Sequence, residues 1–577
     1  MFMFDVLKDK KIVLFGTGEN SLKTLKCMVD NGLEVSYFID NNPKVNKIEF
    51  KNHSYLLKSV EELYIEDKAD LKILITPDGP LYKEIEAQLQ IMGLGECIFS
   101  MYITACEQLV QYTLGFYGGN IRPCCRSTNG FNNNGAPSLE YGDSPAETAK
   151  TYIKKIETIL YELNNDVEID AANSCINCVS LKKYKYYGSG KVSKISYNQS
   201  PVPCQCKCIY CTVNKDPKNS YENSKKHNLS KKSTEMVAYL REKSLLEDYC
   251  FFSVCSGEIT INPWKDLIIE SLYGYRAWFY TNAIIYDAQI ANSMKKDGSS
   301  INVSIDSGTR ETFRFVKGVD MFHKVIENLM KYRESGDIVI KYNILPGIND
   351  REEDFNGVIK ILNNLDLKNL WLSFEYKTPF RSSFFPLITL IKKLHSAGLM
   401  FNIHTFYDNE KIKRFDEMYE SYEAEIKEEY ERSYNDISRL CAENRSEFEL
   451  DFQKYRKYIF SFEIKKLINH FKIGTRFALL GHTAKDRYVI DVFQELGISL
   501  ETPDSSYIES YEKTKDTADI FIMRNKEEFS SVESYLRSKY GLSGRVLDIG
   551  GYCFSPEPTK VFLERSIDKQ FLTHREI

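Results

Sequence analysis

The apolar residues of this chain recur in two rhythms, short continuous runs and helix-spaced stripes, and their alternation predicts its elements. The run Ile12–Phe15 ends in Gly16-Thr17-Gly18 and gives way to a helical stretch, Ser21–Asn31. A second strand, Glu34–Ile39, closes on Asp40, and a third, Leu71–Ile75, follows Ala69-Asp70. Short buried strands alternating with amphipathic helices describe a doubly wound α/β unit. The pattern returns near the C-terminus, where Phe477–Leu480 ends in Gly481, a helix runs through Val489–Leu496, and Gly497 precedes the next strand. Gly16 to Gly32 and Gly481 to Gly497 are both 16 residues apart, and Ala69-Asp70 is echoed by Ala518-Asp519 ahead of Ile520–Met523. Residues ~470–560 thus read as a second copy of the unit.

Between the copies the chain runs through strand–helix repeats. Candidate strands begin near Ile195, Cys250, Ala277, Ile301, Ile338, Leu370 and Phe401, with helical stretches such as Met321–Glu334 and Glu353–Leu362 between them. After the first interval the strands recur every ~25–40 residues, the length of a βα unit. Six or seven such units predict a full or partial parallel (β/α) barrel, whose functional residues sit at the strand C-terminal ends. Residues ~410–470 are dense in Glu, Lys, Arg and Tyr with almost no Gly or Pro, which predicts long solvated helices joining domains. The expected organisation is α/β throughout: 1–105 an α/β domain, 106–189 a cysteine-rich segment, 190–408 the barrel, 409–470 a charged helical connector, and 471–577 the second α/β domain.

The first unit resembles a Rossmann-type domain, with Gly16, Gly18 and Asp40 in the fingerprint positions and Ser21 where the third glycine would stand. The second copy carries Gly481-His482-Thr483 and has lost the glycine pair. A bound nucleotide in the first unit competes with a plain scaffold or docking role. Val546-Leu547-Asp548-Ile549-Gly550-Gly551 looks like a methyltransferase first motif, but only 26 residues follow it, too few for that domain.

Composition narrows the partners. Apolar residues make up 43% and charged residues 27% of the 577, and 76 Lys+Arg stand against 81 Asp+Glu for a net charge of −5. With no long basic block, duplex nucleic acid is a poor partner. No window holds the ~18 uncharged apolar residues of a membrane span, and MFMFDVLKDKK is too short an apolar run for a signal peptide. A cytoplasmic location is expected, where thiols stay reduced. Eight of the 15 cysteines nevertheless lie in the 88 residues from Cys124 to Cys211. That distribution points to metal.

Right after the first barrel strand comes Cys204-Gln-Cys206-Lys-Cys208-Ile-Tyr210-Cys211. Cys204, Cys208 and Cys211 have the spacing CxxxCxxC, which lets three thiolates hold three irons of a [4Fe–4S] cluster and leaves the fourth open for a chelating ligand. Structural zinc would ask for a fourth ligand in a paired CxxC, and Cys206 sits too close to both neighbours to supply it well. Ser256-Gly257-Glu258 follows the second strand, Tyr280-Thr281-Asn282 the third, Ser304-Ile305-Asp306-Ser307-Gly308 the fourth, and Tyr342-Asn343-Ile344-Leu345-Pro346-Gly347 the fifth.

On these motifs, in this order, the region resembles the radical S-adenosylmethionine (SAM) superfamily over about 220 residues. The resemblance implies that SAM chelates the open iron, that Ser256, Gly257 and Glu258 meet its amino group, that Ser304 and Asp306 meet its ribose and carboxylate, and that Leu345 packs its adenine. Tyr210 and Asn282 join the cofactor contacts, and Arg314 or Lys317 is a candidate partner for the SAM carboxylate. It implies reductive cleavage of SAM to a 5′-deoxyadenosyl radical that abstracts hydrogen from a substrate, with electrons from a one-electron donor such as flavodoxin or ferredoxin. A closed barrel interior gives such chemistry the dry site it needs. A non-catalytic Fe–S or SAM-binding scaffold is the rival from another class.

A second cysteine group precedes the barrel. Cys124-Cys125 and the pair Cys175-Ile-Asn-Cys178 suit an auxiliary [4Fe–4S] cluster or zinc, or stay unliganded. They resemble the cysteine segments of SPASM-type radical SAM proteins, where these usually follow the barrel. An auxiliary cluster favours a peptide or protein substrate, whereas flanking Rossmann-like units favour a nucleotide-linked sugar or surface-polysaccharide precursor. Cys255 either faces the SAM pocket, as a candidate hydrogen-atom donor, or packs against the neighbouring strand, and Glu375, Tyr376 and His404 fall at or near strand C-terminal ends and are candidates to line the substrate cavity.

Overall fold

The computed structural model describes residues 4–124, 139–198, 203–211, 229–403 and 419–573, apart from short stretches inside these ranges. Cys125, Ser256, Tyr376 and His404 lie outside the described residues. The chain divides into two units. The first comprises Met1–Pro201, Glu222–Ser256 and Pro263–Ala277, and the second Val202–Tyr221, Gly257–Asn262 and Trp278–Ile577.

In the first unit, β1 (Lys11–Phe15), β2 (Val35–Asp40), β3 (Lys47–Phe50), β4 (His53–Ser59) and β5 (Leu71–Ile75) form a sheet in the order β3-β4-β2-β1-β5. Every neighbour pairs in parallel except β3 with β4. Val13, Phe15, Ile39, Leu71 and Ile73 are buried from the sheet side against Ile85 and Leu89 of the helix Pro80–Ile91. Each such side chain contributes about 1.5–3 kcal/mol on burial. There follow β6 (Tyr102–Ala105), β7 (Leu114–Tyr117), β8 (Asn120–Arg122), β9 (Leu139–Glu140), β10 (Lys182–Lys185), β11 (Val192–Tyr197) and β12 (Leu246–Val254). β6 pairs antiparallel with β10, and β11 lies in parallel between β7 and β12.

The second unit takes in β13 (Arg276–Tyr280) from Trp278 onward, then β14 (Ser300–Ser304), β15 (Asp337–Ile344), β16 (Asn369–Phe374) and β17 (Met400–Ile403), each parallel to the next. Helices such as Phe322–Arg333 and Glu352–Asn364 return the chain between strands. Alternation along β15 buries Ile338, Ile340, Tyr342 and Ile344 on one face and leaves Val339, Lys341 and Asn343 half-buried on the other. Among the described residues β17 has one strand neighbour, β16, and the barrel is partial. The observed strands begin within four residues of the expected positions.

Farther on, β18 (Phe477–Leu479), β19 (Leu500–Glu501), β20 (Ile520–Met523) and β21 (Val546–Asp548) form an all-parallel sheet in the order β19-β18-β20-β21. As in the N-terminal sheet, where β1 lies between β2 and β5, the first strand of this sheet is an interior one, flanked by β19 and β20.

The connector departs from expectation. It is helical, but its helix Phe452–Ile468 buries Phe452, Tyr455, Arg456, Ile459, Glu463 and Ile464 rather than bathing a charged face in solvent. Phe452, Tyr455 and Ile459 join Leu345 and Ile348, from the end of β15, in one apolar cluster.

Candidate functional site

The cysteine loop is fixed by three backbone hydrogen bonds, two to a helix end and one to the Glu258 loop. Lys207 and Ile209 donate their N–H groups to the carbonyls of Lys317 and Val316 (2.9 and 3.0 Å), and Glu258 donates its own to Pro203 (2.8 Å). Gly318, at φ +66°, caps the helix Arg310–Lys317, and a Cβ there would lie 2.8 Å from Lys207 Cβ. Only glycine lets the helix end approach the loop so closely.

Within the loop, Cys211 N–H closes a turn on the Cys208 carbonyl (3.0 Å) and Asn282 Nδ2 donates to Cys204 Sγ (3.6 Å). Cys206 is buried, and its thiol hydrogen-bonds to both neighbours. That contact holds Cys204 below the ordinary thiol range and brings Cys208 to about 7, with the Lys317 charge helping at Cys208. The same contact pushes Cys206 itself up.

The loop rests on two buried carboxylates. Glu258 Oε1 accepts from Thr260 N–H (3.0 Å), Thr260 Oγ1 and Thr281 Oγ1 (2.8 Å each), and Oε2 accepts from Asn282 N–H (2.6 Å). Burial nevertheless pushes its pKa up. With three donors on Oε1 and one on Oε2, the Glu258 side chain ties strand ends together.

Asp306 likewise differs from its expected ribose contact. Its Oδ2 accepts from Lys317 Nζ and Tyr210 Oη, and its Oδ1 from Asn343 N–H (2.7 Å). Asp306 and Lys317 are 0% and 4% exposed. Burial disfavours the charged lysine, yet Asp306 holds it well above the ordinary range. Asp306 stands at φ +52°, a conformation uncommon for a residue with a side chain. Three elements thus meet on one carboxylate: the cysteine loop through Tyr210, the helix end through Lys317, and β15 through Asn343. Lys317 serves here as an internal counter-ion, and Arg314 is exposed.

Other expected contacts are sorted by the packing. Ser304 is half-buried at the tip of β14. Leu345 is fully buried among Ile348, Ile437, Phe448 and Tyr455, so it packs against connector helices rather than facing an adenine. Glu375 is clamped by Arg456 (2.8 Å) and Thr378 (2.7 Å), and Arg456 also reaches the Tyr210 carbonyl (3.4 Å). The role of Arg456 was hidden in the charged connector. In the first unit, Ser253 Oγ and Ser196 Oγ flank Cys255 Sγ at 3.8 and 3.9 Å.

The second thiol group gains a member. β6 ends at Ala105, which pairs with Lys182 of β10, so Cys106 is carried to the end of the ladder that Cys178 approaches four residues before Lys182. Burial pushes the Cys106 thiol up, and Cys124 and Cys178 are close enough to push it further. Cys178 N–H bonds the Cys175 carbonyl (2.9 Å), closing the CxxC turn. The one sequence signal for Cys106 was its place immediately past a strand. Among the described residues no three His, Cys, Asp or Glu side chains converge on a single ion.

At the N-terminal fingerprint, Gly16 has φ +109° and a Cβ there would meet Thr76 Oγ1 at 2.7 Å, while Gly18 has nothing near. Asp40 accepts from Thr17 Oγ1 (3.3 Å). Asp78, past the tip of β5, accepts from Asn20 (2.7 Å), Tyr102 (2.9 Å) and Lys185 (3.0 Å). Burial opposes the charge on Asp78, yet Lys185 and Tyr102 hold its pKa below the ordinary range.

Residues 202–359 match the family model of the radical SAM superfamily. Over 174 residues the chain is 29% identical to a probable GTP 3′,8-cyclase of Saccharolobus islandicus, covering 29% of this chain and 53% of that protein. Over 175 residues it is 28% identical to GTPase Obg of Brachyspira hyodysenteriae, covering 28% and 25%. The chain thus spans about half the length of the cyclases it matches. Among solved structures it is similar to anSMEcpe with bound AdoMet, at 16% identity over 37% of this chain and 63% of that one, TM-score 0.28. It is also similar to Streptococcus suis SuiB bound to precursor peptide SuiA, at 12% identity over 53% and 71%, TM-score 0.29. No helix among the described residues is long and apolar enough to cross a membrane.

Proposed function

We propose, from the radical SAM domain that lies within residues 202–359, that the chain is a radical SAM enzyme in which Cys204, Cys208 and Cys211 hold a [4Fe–4S] cluster with SAM on the open iron. The observation that supports this most is the fixed loop, whose first thiol accepts a hydrogen bond from the β13 strand-end residue Asn282. A cluster held by Cys204, Cys208 and Cys211 would supply one-electron reduction of SAM, the source of the radical chemistry on the substrate. The protein's part is positioning. Glu258 orders the loop backbone from Gly257 to Thr260 for the SAM amine, Ser304 offers a hydroxyl at the tip of β14, and the Asp306–Lys317–Tyr210 group keeps the cysteine loop in place. Ser256, outside the described residues, belongs to the same motif. The electron comes from an external donor such as flavodoxin or ferredoxin.

The substrate we take to be a peptide or protein, supported by a second thiol group, Cys124, Cys175 and Cys178 with Cys106 or Cys125, that suits an auxiliary cluster. The relatives named GTP 3′,8-cyclase favour a nucleotide-linked substrate instead.

Anaerobic reconstitution, reduction and incubation with SAM test the reading. Formation of 5′-deoxyadenosine by the wild type is expected; none from a protein with four irons at Cys204, Cys208 and Cys211 overturns it. In a Cys204/Cys208/Cys211→Ala background, about four irons that disappear on Cys106→Ser are expected at the second group. Iron retained there but lost on Cys125→Ser would remove Cys106.

A further inference from the structure

The inner face of β14, β15 and β16 carries polar groups that the protein leaves unspent. Ladder register sets Ser304 beside Lys341, and Lys341 beside Trp371. Asn302 lies one pleat below Ser304 on the same face, because side chains alternate along a strand. Asn302 is 5% exposed, and among the described residues neither its amide nitrogen nor its amide oxygen has a partner; Ser300 Oγ, one pleat lower, has none either. Lys341 is half-buried, and its ammonium makes no hydrogen bond or ion pair among the described residues. Trp371 meets Trp278 edge to face, with ring centroids 6.0 Å apart.

Two features of the surroundings give this meaning. Asp306, the carboxylate that acts on Lys341, is already paired with Lys317. Burial accordingly pushes the Lys341 ammonium below the ordinary lysine range, with Asp306 opposing and Lys317 adding to the effect. A buried cation without a counter-ion and a buried amide without a partner both cost free energy until a ligand supplies what they lack. Apolar walls with a few convergent polar groups are how small-molecule sites are built. Lys341 is also the one cation that β14, β15 and β16 place on this face. A diphosphate calls for more than one positive charge, whereas a single carboxylate is matched by one lysine and an amide.

We propose that Lys341 and Asn302 form a subsite for one carboxylate of the substrate, with Trp371 flanking the stem that carries it. This rests on the radical SAM reading and deepens it: it favours an acidic residue of a peptide over a nucleotide-linked sugar.

Tryptophan fluorescence reads the site directly, since Trp278 and Trp371 are two of the chain's three tryptophans. The SAM-loaded holoenzyme is titrated anaerobically with N-acetyl-Gly-Glu-Gly-amide, its glutamine counterpart, and inorganic pyrophosphate. The glutamyl peptide should bind at least about tenfold more tightly than the glutaminyl one, the range of a hydrogen bond to a charged group. Lys341→Met should abolish that preference, Asn302→Ala should narrow it, and Lys341→Arg should restore part of it. Equal binding of both peptides, or a preference that survives Lys341→Met, overturns the subsite. So does pyrophosphate binding more tightly than the glutamyl peptide through Lys341. A tenfold loss of SAM affinity in Lys341→Met with the peptide preference intact gives Lys341 to the SAM carboxylate instead, and also overturns it. Failure of the underlying reading is separately visible, because a wild-type holoenzyme that forms no 5′-deoxyadenosine sinks the function whatever the titration gives.

Discussion

In the N-terminal sheet, Thr76 and Asp78 follow the tip of β5, and the chain's own Asn20, Tyr102 and Lys185 close on Asp78; in the barrel sheet, the side chains of Asn302 on β14 and Lys341 on β15 have no hydrogen-bond or ion-pair partner among the described residues. Both are parallel strand ends, the place where α/β folds bind ligands. Both contain buried or half-buried charge. They differ in whether that charge is already answered. The N-terminal crevice hydrogen-bonds to itself, which suits a scaffold, while the barrel separates its polar groups into a spent set that holds the cysteine loop and an unspent set that faces inward. Topology therefore nominates a site, and satisfaction of its polar groups decides whether a ligand is wanted.

The comparison breaks most visibly at the cysteines. Changing Cys204, Cys208 or Cys211 to Ala should reduce SAM cleavage to background, read as 5′-deoxyadenosine, whereas Cys206→Ala should keep the cluster. A Cys206→Ala protein without iron would mean that the loop had been assigned wrongly.

Next in size is the spent set. Asp306→Asn leaves Lys317 buried without a counter-ion, a loss of about 3–5 kcal/mol in stability. Combining it with Lys317→Met should recover much of that loss, because the unpaired charge is gone. Denaturant midpoints for the two single variants and the double measure this, and simple additivity would show that the pair is not coupled.

A smaller effect concerns pH. Asp350, buried where Gly347 N–H donates to it (2.8 Å), has its pKa raised by burial to about 7. An unfolded carboxylate titrates near 3.9. The folded state therefore binds the extra proton between about pH 4 and pH 7, and stability falls as pH rises through that window. Thermal midpoints should be higher at pH 5 than at pH 8 by a few degrees, and Asp350→Asn should flatten the dependence. An unchanged slope in that variant would place the titrating group elsewhere.

The smallest effect sits at the other pole of the comparison. Lys185→Met removes an ion pair whose lysine is buried and whose carboxylate, Asp78, is half exposed, so that solvent screening holds the loss to about 1 kcal/mol. It should create no affinity for NAD, measured calorimetrically. Micromolar NAD binding by that variant would show the crevice to be a masked nucleotide site.

Much of this was legible in the chain. Seven strand starts followed from apolar runs, and the cysteine spacing with the strand-end motifs placed Glu258, Asn282, Ser304 and Asp306 at the same end of the sheet. Partner choice was not legible. Asp306 and Lys317 are 11 residues apart, and Glu375 and Arg456 are 81 apart, so nothing local marks either pair. Composition made the 410–470 region look solvated because Arg456 and Glu463, which turn inward, count the same as lysines that do not. Cys106 stood alone in sequence and is brought to Cys178 only by the β6–β10 ladder.

The measurement closest to the central claim is the electron paramagnetic resonance spectrum of the reduced, reconstituted protein with and without SAM. If SAM chelates the open iron of a cluster held by Cys204, Cys208 and Cys211, its addition should shift the g values of that cluster in the wild type, and the SAM-responsive component should be missing from the Cys204/Cys208/Cys211→Ala protein, which keeps only the signal of the second thiol group. A wild-type spectrum indifferent to saturating SAM, from a fully loaded cluster at those three cysteines, would contradict the account.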